Sequence, residues 1–130
     1  MCGSVSAIGL EQQERQSWPY LRERLRQPGY LMALMRGVLG DTEVAVVTAV
    51  TPRGAVTPLA ILTTSEEIAQ ELVLSADRRA QDGVRRAKIG DDDVDVVVDE
   101  SDGSRPLAIL VTPWIEQHLL VFARTLWRGR

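Results

Sequence analysis

A chain of 130 residues, 45% of them hydrophobic, can bury a core of its own, and its single cysteine, Cys2, excludes an internal disulfide. A net charge of −3 argues against a surface built for nucleic acid or anionic lipid. The apolar runs stop short of the ~18 residues a membrane-spanning helix needs, and the opening MCGSVSAIGL has no basic stretch ahead of an apolar one, so a cytoplasmic protein is expected.

In chain order, residues 1–9 read as a flexible tail and residues 10–39 as a helical segment. Pro19 is expected to start a first helix that ends near Gln27. Pro28-Gly29 then separates it from a second helix over Tyr30–Leu39, with Gly40 in the left-handed position that closes a helix. Val44 to Val50 reads as a strand apolar on both faces, TPRG (51–54) as a loop, and the run ending in Pro58-Leu-Ala-Ile-Leu62 as its hairpin partner. Thr64-Ser-Glu-Glu67 is a capping box for a middle helix running from about Ser65 towards Arg86, which Asp82-Gly83 interrupts. A second hairpin follows. Its first strand alternates Val94, Val96 and Val98 with Asp93, Asp95 and Asp99, its loop is SDGS (101–104), and its second strand contains Pro106-Leu-Ala-Ile-Leu110. Thr112 is a cap residue before Pro113, and a last helix is expected over 113–127, burying Ile115, Leu119, Phe122 and Leu126.

The pentapeptide PLAIL thus occurs twice, and its flanks match. Arg36, Gly40, Asp41, Val44, Val46 and Val47 stand fifty positions before Arg86, Gly90, Asp91, Val94, Val96 and Val97. The offset falls to forty-eight at PLAIL, as a two-residue loop deletion would produce. We read this as an internal repeat, with units 36–64 and 86–112 inside a core domain of 36–130. The fold class expected is α+β, in the order α-α-ββ-α-ββ-α, with a four-stranded antiparallel sheet and the helices packed on it.

Three features bear on chemistry. MCGSVSAIG resembles the start of the class II glutamine amidotransferases, which implies Cys2 as nucleophile and its own α-amino group as base. That family's oxyanion element is Asn-Gly, and this chain has no Asn. The element order is similar to that of the LAGLIDADG homing endonucleases, and MRGVLGDTE (35–43) resembles their helix. Thr42 stands where the catalytic acid would be, Asp41 falls one place early, and Asp92 occupies the matching place in the second copy. The order is also similar to that of type III secretion chaperones and of roadblock-type adaptors, on topology alone. The acids Asp91, Asp92, Asp93, Asp95, Asp99, Glu100 and Asp102 lack EF-hand spacing and read as a solvated strand face at a protected edge. His118 is the only histidine, too few for a His-rich metal site.

No catalytic, metal or cofactor residue is therefore assigned, and no cofactor is expected. The function expected is that of a non-catalytic protein-binding module, a homodimeric adaptor or chaperone-like protein; the alternatives are a nucleic-acid-binding or nuclease-like protein and, last, the N-terminal-cysteine enzyme that the amidotransferase resemblance implies. Candidate interface residues are the aromatics that flank the helices and the lone histidine: Trp18, Tyr20, Tyr30, Trp114, His118 and Trp127. A protein partner, most simply a second copy, would cover the second apolar face of the sheet.

Overall fold

The structure, a computed structural model, describes residues 4–62, 68, 70–72 and 78–128, with side chains placed for 12–62, 68, 70–72 and 81–122. Helix α1 (Ser4–Arg24) leads into strands β1 (Leu31–Leu39), β2 (Thr42–Val50) and β3 (Val56–Leu62). Helical residues 68 and 70–72, here α2, precede β4 (Arg78–Gln81). Strands β5 (Val84–Ile89), β6 (Asp92–Asp99) and β7 (Arg105–Leu110) follow, then α3 (Pro113–His118) and β8 (Leu119–Arg128). All the strand pairs are antiparallel, in one eight-stranded sheet of order β4-β5-β6-β7-β3-β2-β1-β8.

The expected four-stranded sheet with helices packed on it is therefore incorrect, and the error lies in four elements read as helix. Tyr30–Leu39 is largely strand β1. Its run of Leu, Met and Ala favours helix locally, but apolar residues at both parities suit a strand covered on both faces, and tertiary burial decides. The expected middle helix takes in β4 and the start of β5, and Asp82-Gly83 is the turn between them, with Gly83 at φ 76°. The last helix stops at His118, and Leu119–Arg128 is strand β8. Pro19 lies inside α1, which begins at Ser4 within the stretch read as a tail. The Thr64–Glu67 capping box falls outside the described residues.

The halves match strand for strand. β1 and β2 join through Gly40-Asp41, β5 and β6 through Gly90-Asp91, with Gly40 and Gly90 at φ 61° and 62°. A glycine of positive φ at the first of two loop residues suits a type II′ hairpin, not the helix end expected there. In β2–β3 the register passes from Val47↔Ala60 to Thr48↔Pro58; in β6–β7 it passes from Val97↔Ala108 to Val98↔Pro106. Each PLAIL proline thus stands beside a bulge formed by the leucine after it, where a missing N–H does least harm.

The two pentapeptides then pair with each other. Ala60 faces Leu110, Ile61 faces Ile109 and Leu62 faces Ala108, so an approximate twofold axis passes through the Ile61–Ile109 pair. A strand that pairs antiparallel with its own counterpart must be complementary to itself, which the identical residues satisfy. The outer strands cross between halves: β4, after β3 in the chain, pairs with β5, while β8, after β7, pairs with β1.

Helices cover both faces. On one, Trp18 and Leu21 of α1 close over Met32, Leu34, Ala45, Val47, Ala60 and Leu62. The α1 positions turned inward, Glu14, Ser17, Trp18 and Leu21, follow the helical period. On the other, Leu72 of α2 and Ile115 of α3 join Val44, Val46, Ile61, Val94, Val96 and Ile109. The Thr112 hydroxyl caps α3 by accepting from Ile115 N at 3.3 Å, with Pro113 behind it, as the sequence suggests. Helix α1 is tied to both halves: Arg36 donates to Glu14 at 2.7 Å, Tyr20 Oη donates to Val98 O at 3.0 Å, and Arg24 donates to Asp82 O.

Candidate functional site

Matched halves let each position be read against its counterpart, and exposure explains most of the divergence. Beneath α1, strand β2 carries Ala45; fifty positions on, away from the helix, β6 carries Asp95. There Asp95 accepts from Arg86 at 2.7 Å, and Asp93 accepts from Lys88 at 2.8 Å. This chain thus places cross-strand ion pairs on that open part of its sheet, and these carboxylates sit on a solvated strand face. Among the described residues no group of His, Cys, Asp and Glu is arranged to hold a metal ion.

One corner breaks the rule. Leu31, Val50 and Val56 are opposite one another across β1, β2 and β3, and so share a face, the α3 side. Leu31 is 56% exposed and Val56 39%, with Tyr30 exposed beside them. Their counterparts in the second half, by the same offsets, are Gln81, Glu100 and Ser104. Those belong to a polar corner: Glu100 accepts from Gly83 N at 2.7 Å and from Arg85 at 3.0 Å, and Arg85 also donates to Ser104 at 3.1 Å. The sequence-matched positions are thus polar in the second half, with Glu100 and Ser104 hydrogen-bonded, whereas Leu31, Val50 and Val56 form an apolar row; Gln81 itself lies in β4 opposite Val84 and not across from Glu100.

The predicted interface residues divide. Trp18 is core, at 1% exposure, and Tyr20 is half-buried on Val98 O. Tyr30, Trp114 and His118 are exposed. Trp114 and His118 lie one turn apart on α3, ring centres 4.8 Å apart, with His118 Nδ1 donating to Trp114 O at 2.8 Å. Val111 N donates to Leu59 O at 2.9 Å, so α3 sets out next to the β3 end of the apolar corner. Trp127 is in β8 opposite Leu34, and its side chain, like Cys2, lies outside the described residues. Sequence reasoning missed Leu31, Val50 and Val56, although aligning the two copies through Gln81, Glu100 and Ser104 would have shown them.

Leu120 and Phe122 are also exposed, on the edge strand β8. The register there jumps from Gly37↔Val121 to Met35↔Thr125, an irregularity of the kind that protects a sheet edge. The stretch likened to the LAGLIDADG helix, 35–43, is strand and hairpin, so the resemblance has no helix to rest on. No family model, curated protein or solved structure matches this chain.

Proposed function

We propose that this chain is a protein-binding module, of adaptor or chaperone-like type, and that it engages its partner through the apolar corner of Tyr30, Leu31, Val50 and Val56. One observation carries the reading: Leu31 and Val56 stand exposed on one face with Val50 between them, whereas the sequence-matched positions are polar, with Glu100 and Ser104 both bonded to Arg85. An exposed apolar row kept where the same fold tolerates a polar network suggests a surface that is covered in use. Trp114 and His118, exposed one turn apart on α3, add an aromatic pair of the type enriched at binding hot spots.

A twofold dimer is the simplest form of such an assembly. The second apolar face, which a partner copy was expected to cover, is covered by α1 through Trp18 and Leu21. Any support for self-association now rests on the corner itself.

The test writes the polar corner into the apolar one, as Leu31→Gln, Val50→Glu and Val56→Ser together. The substituted sites are exposed or half-buried, so the protein should stay folded. Proteins co-precipitated from extracts of the source cells by the original chain should be lost with this variant. Retention of the same proteins, with the fold intact by circular dichroism, would place the binding surface elsewhere.

A further inference from the structure

We infer that helix α1 is a displaceable cover, and that the sheet face beneath it receives an amphipathic helix of a partner when α1 lifts. That face is opposite the one carrying the apolar corner, so the two surfaces stand or fall separately. The floor under α1 is apolar across both halves, with Leu34, Ala45, Ala60 and Leu62 from the first and Val97 and Ala108 from the second. The helix that covers it is less apolar than its floor. Trp18 and Leu21 are buried and Tyr20 half-buried, but Glu14 and Ser17 are polar at 7% and 2% exposure. Beside Glu14, the Oε1 of Gln13 is buried and accepts no hydrogen bond. Such an acceptor favours the open state, in which water supplies the missing bond.

The other ties also find a substitute in water. Glu14 and Arg36 are both rehydrated when the helix lifts, so burying the intact pair adds little to the closed state. Pro19 stands inside α1 and has no N–H to give the helix. After Leu25 the chain passes through the exposed residues 26–30, including Pro28 and Gly29 at φ 81°, before β1 begins. The strand β1 pairs with β2 and β8, so α1 can leave the face without unpairing the sheet. Openings of this kind are drawn from the least stable part of a fold. A partner helix with apolar residues at the places of Gln13 and Ser17 would cover the same floor with no oxygen stranded.

The test uses the full chain, hydrogen exchange and one peptide. The amides of Ser17 to Arg24 should exchange through an opening that leaves β2 and β3 protected. Gln13→Met removes the stranded oxygen at nearly equal helix propensity, and should slow that exchange by about fivefold or more. Gln16→Met, on the exposed side of α1, should not slow it. A synthetic peptide of residues 10–26 carrying Gln13→Met and Ser17→Ala should bind the original chain and speed exchange in its α1. It should bind the Gln13→Met chain about fivefold or more weakly, because its affinity scales with the open fraction. Amides in α1 as protected as those of β2, or equal exchange in the Gln13→Met and Gln16→Met chains, would overturn the displaceable cover. A peptide that does not bind, or that binds both chains alike, would overturn the partner helix.

Discussion

Arg36 and Arg86 occupy the same position in the two hairpins, yet their surroundings differ. Arg36 meets Glu14 of α1, with the side chains only 15% and 9% exposed, whereas Arg86 meets Asp95 at 38% and 35%. Removing one member of a buried pair costs more than removing one of an exposed pair, because water does not replace the lost partner. Arg36→Met should therefore cost about 3–5 kcal/mol. Arg86→Met should cost less than about 1 kcal/mol. Urea unfolding of the two variants measures both, and equal losses would mean that α1 does not shield Glu14. Gly37 makes a second residue-level case. A Cβ there would meet Leu120 O and Val46 Cγ2, each at 3.0 Å, so β8 approaches β1 only because this side chain is missing. Gly37→Ala should destabilise by about 1–3 kcal/mol. It should also loosen β8 more than β2, seen as faster amide exchange in Leu119–Arg128; unchanged exchange there would refute the close approach.

Among the elements, the strands around the twofold axis were the legible ones. Alternation in Val94–Val98, apolar residues at both parities in Val44–Val50, and a proline leading each Leu-Ala-Ile-Leu all follow from what a strand between covered faces needs. Thr112-Pro113 also marked a true helix start. The outer strands were not legible. Leu31–Leu39 and Leu119–Arg128 are apolar at spacings that fit either period, and only their mutual pairing selects the strand. A helix at Leu119–Arg128 would have left the nine-residue edge of β1 unpaired. Nor did the sequence show where the crossing strands go, because β4 and β8 pair with the opposite half. Across the axis, Ile61 and Ile109 are both buried and directly opposed. Ile61→Ala and Ile109→Ala should each cost about 2–5 kcal/mol. Their double variant should depart from the sum by more than about 0.5 kcal/mol. Strict additivity would indicate that the two side chains do not meet.

For the whole molecule, the two similar hairpin sets share one sheet, and several sequence-matched positions differ in how far they are covered. Ala45 beneath α1 becomes Asp95 in the open, and the row Leu31, Val50 and Val56 becomes Gln81, Glu100 and Ser104. The first substitution has its cover in the structure. Among the described residues the second has none, and a bound partner would provide it. The most direct measurement places a photoreactive amino acid at position 31, or at its counterpart 81, and irradiates the protein in extracts of its source cells. Adducts to a protein at position 31 and none at position 81 are the predicted result, and an adduct of twice the chain's mass would identify a second copy as the occupant. Equal labelling at the two positions, or labelling at 81 alone, would contradict the assignment of the apolar corner as the binding surface.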